Sequence, residues 1–444
     1  AIGKCKTIET NYLGQLVESV TNWEDKLPES CVGLGHGNKN PEDIGPHEFS
    51  LALQQEVVEK MSNYFTRIFG ENYQRLFTLD LIKYILNEPV EDLSTLKATS
   101  TFGEEWLKVP LTGKYHREKV ALAMLKAVKA TGSPRYVDVL NWSLDCMHRE
   151  GCIYMCLFPK DQVAGVREIY VMKLTGRVAQ SLVEYAGKIL CNKVPSEIIT
   201  HPENKYTRLH DHQDGMAHKG NHVTFGSSCD MTKWNHTNYI SKLYYNIAPH
   251  FEPEIRPLLF EIMSFWEKKK IMVPQQLTEA LMKHEVINTT STTINQYHAA
   301  IKHGVRSQCF EPGECSINTT HGFCQGLFQM VSSFLHVQGM HYFKIFIHRE
   351  FEDFKAHKRL PRDCKLYMTD MVSSDDSSLL ISVTYTNERS RPAVEYFCAY
   401  AARCRTFLMK QLGMVDSTKS VIHTSNFLEF NSKFTIGRFT YEPL

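Results

Sequence analysis

The run MVSSDDSSLL (residues 371–380) places Asp375 and Asp376 side by side, framed by serines and then by aliphatics. The segment before it, KLYMTDMV (365–372), and the segment after it, LLISVTY (379–385), have the β-branched, aromatic and aliphatic content of short strands. The Ser/Asp cluster between them reads as the turn of a hairpin. A solvated polar turn is the ordinary account of such a pair. Hydrophobic strands on both sides shift the balance, because they seat the two carboxylates on a rigid, half-buried platform. Like charges held in that way call for a cation.

A chain of 444 residues predicts two or three structural units. Apolar content of 43% and charged content of 22% are ordinary for a globular protein. With 50 basic residues against 49 acidic ones, overall charge supplies no attraction for nucleic acid. Any such binding must come from local basic clusters. The 13 cysteines show no repeating spacing. Cys152/Cys156 is the closest pair, and neither it nor Cys398/Cys404 has a partner pair at zinc-ribbon spacing. Free buried thiols in a reducing compartment are expected, which makes the sequons at Asn235 and Asn288 chance matches. No stretch reaches the apolar length of a membrane span, and no signal-peptide pattern opens the chain. The chain begins at Ala1 and ends at TYEPL directly after a patterned segment, and the expectation is a piece of a larger polypeptide.

Neither an internal repeat nor a low-complexity tract is present. Residues up to about Arg149 read as mostly helical, with apolar positions at helical spacing in FSLALQQEVVEKMSNYFTRIF (49–69) and HREKVALAMLKAVKA (116–130). NKNPEDIGPHE (38–48) is a loop by its Pro, Gly and Asn content. Strand patterns begin with CIYMCLF (152–158) and REIYVMKL (167–174). A polar, His-rich loop is expected over 201–222, then a strand, then a long helical stretch to about Gly304. Alternating strand and helix fill the last third. The class is α+β, without the βαβ rhythm of a doubly wound sheet.

VTFGSSCDMTKWNHTNYISKLYY (223–245) starts as a strand and becomes a helix, with Asn235 as its N-cap and Tyr239, Ile240, Leu243 and Tyr244 on one face. Asp230 stands where the strand ends, with Lys233 and Trp234 just beyond. Alone this is a strand–loop–helix with a capping acid. Paired with the Asp-Asp hairpin it is a second anchor for metal. Mg²⁺ prefers a few carboxylates plus phosphate oxygens, and two such ions ~3.5–4 Å apart serve in-line displacement at phosphorus. HGFCQGLFQMVSSFLH (321–336) carries a helical stripe, Leu327, Phe328, Met330, Val331, Phe334 and Leu335. Gln325-Gly326 at the entrance of that helix lets a backbone approach a nucleotide. Ser332 and Ser333 either face a sugar or serve as small packing residues. FPKDQVAGVREIYVMKLTGR (158–177) sets Lys160, Arg167, Lys173 and Arg177 around a Gly-containing turn, as a solvated hairpin or as anion clamps. MVDSTKSVIHTSNFLEFNSKF (414–434) carries Lys419 and a strand ending in Glu429-Phe430-Asn431-Ser432.

This order resembles motifs F, A, B, C, D and E of viral RNA-dependent RNA polymerases: a basic loop, Asp-x-x-Lys-Trp, Gln-Gly before a helix, Ser-Asp-Asp, Lys, and Glu-Phe-x-Ser. It is most similar to the large (L) protein of segmented negative-strand viruses of the bunyavirus group, through Ser-Asp-Asp in place of Gly-Asp-Asp, Asp-x-x-Lys-Trp, REIYVM and the Glu-Phe-x-Ser tetrad. The motifs run from about Leu157 to Phe434. Val163-Ala164-Gly165 stands where relatives often have a His-Gly-Gly-like turn.

The resemblance implies a right-hand polymerase fold with its thumb largely missing. Fingers would span 1–219, palm 220–248, returning fingers 249–322 and palm again 323–444. It implies Asp230, Asp375 and Asp376 as ligands of two Mg²⁺ or Mn²⁺ ions, and Lys419 as general acid for the departing pyrophosphate. Lys160, Arg167 and Lys233 would contact the incoming triphosphate, with Gln325, Gly326 and Ser332 near its sugar and base. Glu429 and Trp234 would support primer and template. The implied activity is transcription and replication of a segmented negative-strand RNA genome by nucleotidyl transfer from NTPs. The implied partners are template and nascent RNA, the remainder of the L polypeptide and the viral nucleoprotein, in the host cytoplasm and the virion. Two rivals start from other residues. One is a metal-dependent phosphohydrolase built on His210, Asp211, His212, His218 and His222. The other is a catalytically silent structural or template-binding fragment, for which no second basic domain and no endonuclease segment argue.

Overall fold

The computed structural model describes residues 2–22, 24, 49–111, 113–160, 167–232, 234–423, 427–430, 433–436 and 439–441. Helix and strand are mixed, as the α+β expectation requires. Two four-stranded sheets organise the chain. In the first, the spatial order is Val421–His423, His222–Asp230, Asp376–Thr384, Lys365–Ser373, all antiparallel. In the second, Arg167–Met172 pairs antiparallel with Ile153–Lys160, which pairs parallel with Lys269–Met272, which pairs antiparallel with Ser316–Thr319. A small antiparallel sheet, Phe427–Phe430, Lys433–Ile436 and Phe439–Tyr441, lies at the C-terminal end.

Two helices run through the core. Leu174–Cys191 follows directly on the REIYVM strand, and thirteen of its residues are buried. Gln329–Ala356 is a 28-residue helix whose buried residues occur on every turn as far as Phe354. The helices Leu51–Phe69, Tyr73–Asn87, Tyr136–Glu150 and Ile240–Ile247 contribute their apolar residues to the same hydrophobic core. Where the two central helices meet, a Cβ on Gly187 would lie 2.7 Å from the backbone nitrogen of Val331. Only glycine permits that approach.

Four local expectations are corrected. The His-rich segment is a helix, Asn204–Ala217, not a loop. Its buried residues Leu209, His212 and Met216 recur at i, i+3 and i+7. That face meets the strands Lys365–Ser373 and Asp376–Thr384, and the polar residues between hide it from a reading by hydropathy. The helical stretch to Gly304 is interrupted by the strand Lys269–Met272, whose two leading lysines mask a parallel partner for Ile153–Lys160. Asn235 lies inside the short helix Trp234–Thr237, and Tyr239 is the N-cap of Ile240–Ile247. The helix after Gln325-Gly326 begins at Gln329. Gly326 (φ 84°) and Phe328 (φ 49°) are both left-handed, so Leu327 and Phe328 precede the helix and do not belong to its stripe.

The described cysteines are free thiols, most of them buried. Among the described residues no helix is long and apolar enough to cross a membrane.

Candidate active site

The strand His222–Asp230 ends on its acid, and its register with the next strand pairs Asp230 with Asp376. Directly opposed residues in an antiparallel pair have Cα atoms about 4.5–5.5 Å apart. The hairpin closes in two residues, because Ser373 pairs with Asp376 and leaves Ser374 and Asp375 as the turn. The N–H of Met231 donates to the carbonyl of Asp375 at 3.2 Å, which clips the turn onto the end of the Asp230 strand. Residues remote in sequence thus bring Asp230, Asp375 and Asp376 to one edge of one sheet.

The segment after Met414 closes that edge. Ser417 donates its N–H to the carbonyl of Asp230 at 2.7 Å and its hydroxyl to Oδ2 at 3.1 Å. The hydroxyl of Ser420 bonds both backbone groups of Asp230, at 3.1 and 3.2 Å. Behind the sheet, the buried guanidinium of Arg405 donates to both carboxylate oxygens of Asp416 at 2.9 Å and to the hydroxyl of Ser377 at 3.2 Å. Asp416 bridges Met231, and Ser377 adjoins Asp376. Ser228, Cys229, Asp230, Asp376, Ser377, Lys419, Glu429 and Phe430 line a cleft of about 250 Å³.

Burial pushes the carboxyl of Asp376 up to about 7, and the charges of Asp375, Asp230 and Glu429 push the same way. A donor set of this kind is under-neutralised by its own protein, and an added divalent cation relieves it. Among the described residues no group of three or more His, Cys, Asp or Glu side chains forms a ready metal cage. The acids form a rim, which suits an ion that takes its remaining oxygens from substrate and water.

The family model for the Bunyavirus RNA dependent RNA polymerase matches residues 137–444. The chain belongs to that family. It is 28% identical over 431 residues to the RNA-directed RNA polymerase L of Uukuniemi virus (strain S23), covering 96% of this chain and 20% of that protein. It is 28% identical over 434 residues to the polymerase L of Rift valley fever virus (strain ZH-548 M12), covering 96% and 20%. The polymerase L of Rice stripe virus (isolate T) is 26% identical over 480 residues, covering 99% and 16%. The chain spans about a fifth of the length of these relatives.

The other residues singled out by the family's motif order fall in several places. Exposed Glu429 lines the cleft, held by its N–H to Ser228 Oγ at 2.9 Å and its carbonyl to Ser378 Oγ at 3.0 Å. Exposed Lys419 lines it too. The backbones of Lys160 and Arg167 are paired at the end of their hairpin, and their side chains, with the whole of Lys233, lie outside the described residues. Lys173 pairs with Glu150 at 2.5 Å. Gln325 is half-buried and Gly326 exposed, with open space where a Cβ would stand.

Two expectations fail on burial. Ser332 is fully buried and bonds back to the carbonyl of Gln329 at 3.2 Å, so it faces no sugar. Trp234 is 4% exposed, with its ring 5.7 Å from that of His336, so it packs inside and supports no primer. Both sit on core-facing sides of their helices. Among the described residues the histidines of 210–222 form no group that could hold a metal ion either. His212 bonds Thr369 Oγ1 at 2.9 Å and Ser382 Oγ at 2.8 Å, and burial pushes it down to about 4. His222 turns to the carbonyl of Gly220. Sequence reading missed Arg405, Asp416, Ser417 and Ser420. Asp416-Ser417 stands three and two residues before Lys419 and was within reach, whereas Arg405 lies in a helical segment with nothing to mark it.

Proposed function

We propose that this chain carries the nucleotidyl-transfer centre of a viral RNA-directed RNA polymerase that copies a segmented negative-strand genome. The observation that carries the reading is the pairing of Asp230 with Asp376, with Asp375 on the adjoining turn. In the reaction, the 3′-hydroxyl of the growing RNA attacks the α-phosphorus of an NTP. A phosphodiester bond forms, the bond to the β-phosphate breaks and pyrophosphate departs. Two divalent ions, Mg²⁺ or Mn²⁺, held by Asp230 and Asp375 with Asp376 alongside, would neutralise charge on the attacking and leaving oxygens.

The chain's own residues then have separate tasks. Lys419, on the same cleft as the acids, gives a proton to the departing pyrophosphate. Glu429, at the cleft's rim, positions the primer end. Lys160, Arg167 and Lys233 clamp the triphosphate, and Gln325 with Gly326 lies against base and ribose. In this reading residues 1–219 and 249–322 form fingers, and 220–248 and 323–444 form palm. The partners are template and nascent RNA, NTPs, the remainder of the L polypeptide and the nucleoprotein, in the host cytoplasm and the virion.

The test is primer extension by the full-length polymerase carrying Asp230→Asn or Asp375→Asn. Loss of extension with the protein still folded is expected. Wild-type extension by either variant overturns the reading.

A further inference from the structure

Ser374 has φ +56°, the left-handed region that glycine enters freely and a residue with a Cβ enters at a cost. It is the first residue of the two-residue turn beside Asp376, where strand pairing itself calls for a positive φ, and contacts from outside the hairpin help to meet the cost of a Cβ there. Both of its backbone groups are held by the long helix Gln329–Ala356. Its N–H donates to Ser333 Oγ at 3.1 Å, and its carbonyl accepts from His336 Nδ1 at 2.9 Å. Ser333 and His336 are three residues apart and share one face of that helix. Each is fully buried.

The direction of every bond in this cradle is fixed. Ser333 gives its own proton to Glu197 Oε1 at 2.7 Å, which leaves its oxygen free to accept from Ser374. Glu197 is fully buried, and its other oxygen takes the N–H and the hydroxyl of Thr200, both at 2.7 Å. A carbonyl only accepts, so Nδ1 of His336 carries the proton. Burial pushes His336 down to about 4, which keeps the ring neutral, and the carbonyl of Ser374 selects its tautomer. The residues flanking Glu197 pair with Val372 on the hairpin, Val372 N–H to the carbonyl of Ser196 and Ile198 N–H to the carbonyl of Val372, each at 2.9 Å. The cradle therefore grips the turn and the strand leading into it.

We propose that Ser333 and His336, backed by Glu197, are positioning residues that lock the Ser374 turn in its left-handed form and so hold Asp375 and Asp376 beside Asp230. They touch neither substrate nor metal. The inference rests on the proposed polymerase reading of the three acids.

The experiment is a double-mutant cycle in the full-length polymerase, with Ser333→Ala and His336→Leu each made on Ser374 and on Ser374→Gly. On Ser374, each change should lower kcat by about 10- to 100-fold with KM for NTP nearly unchanged. On Ser374→Gly, measured against its own baseline, the same changes should cost only a few-fold, since glycine enters the left-handed region without the penalty that the cradle offsets. His336→Asn, whose amide nitrogen reaches the position of Nδ1, should retain activity where His336→Gln loses it. This pair gives the reading if His336→Leu fails to fold. Equal losses on both backgrounds, or equal behaviour of the Asn and Gln variants, would reduce the cradle to ordinary helix packing. Full kcat in Ser333→Ala and His336→Leu, with Asp375→Asn inactive, sinks the cradle and leaves the polymerase reading standing. An active Asp375→Asn sinks the reading beneath it.

Discussion

Asp376 is hemmed in by burial and by Asp375, Asp230 and Glu429, and its proton is held to about 7 as a result. Removing one of those charges should ease the apo protein, not harm it. Asp375→Asn is therefore expected to melt at or above the wild-type temperature without metal. Wild-type chain should gain melting temperature as Mg²⁺ or Mn²⁺ rises, and the variant should lose most of that gain. A turn acid that merely capped backbone N–H groups would instead lose ~1 kcal/mol on this change. Melts of both forms across a metal titration distinguish the cases. Arg405 and Asp416 set a second residue-scale expectation. Asp416→Asn leaves a buried guanidinium facing a neutral amide, and should cost about 3–5 kcal/mol in denaturant unfolding. The double change Arg405→Met/Asp416→Leu should recover much of that loss, because it removes both charges together. At this scale the sequence exposed the acids through their neighbours. It misled at Ser332 and Trp234, where a polar or aromatic residue beside a motif packs inward, because helix phase and not adjacency sets direction.

The helix Leu174–Cys191 meets the start of Gln329–Ala356 through Glu184, Gly187 and Cys191, spaced i, i+3 and i+7 on one face. Glu184 Oε2 accepts the N–H of Met330 at 2.7 Å, and Cys191 donates its thiol to the Met330 carbonyl at 3.4 Å. A carboxylate from one helix thus occupies the N-terminal anion position of the other. Burial raises Glu184 to about 7 against the backbone N–H groups of Met330, Gln329 and Val331, which lower it. Its folded value lies above its unfolded one, so its contribution is fully present below about 4.5 and is lost as pH rises towards 7. Glu184→Gln should flatten the fall in stability between those pH values, by on the order of 1–3 kcal/mol, in unfolding curves taken across that range. Elements with strong apolar periodicity, such as Leu51–Phe69, were readable in advance. Asn204–Ala217 and Lys269–Met272 were not, since a short stripe among polar residues and a lysine-rich strand gain their burial from distant partners.

Across the molecule, one sheet assembles strands from 222–230, 365–384 and 421–423, and the intervals between them hold helices and two strands of the other sheet, Lys269–Met272 and Ser316–Thr319. The cleft at its edge is built from residues that no local folding unit contains. The hairpin of Ile153–Lys160 and Arg167–Met172 belongs to the other sheet, and the proposed mechanism requires both sheets to serve one nucleotide. Arg167→Ala in the full-length polymerase should raise KM for NTP by about 10-fold, the effect of ~1.4 kcal/mol, while leaving the melting temperature unchanged. Unaltered steady-state kinetics would return that hairpin to a solvated face.

The sequence by itself determined the mixed class, the Ser-Asp-Asp hairpin, the strand that ends on Asp230 and the order of the motifs, because periodicity and turn chemistry are local properties. Tertiary structure alone decided that Asp230 stands opposite Asp376, that Arg405 and Asp416 brace both strands, and that Ser333 and His336 grip the Ser374 turn. Register and helix phase settle those contacts, and both depend on what each element buries against its neighbours, a quantity that no single stretch of sequence contains.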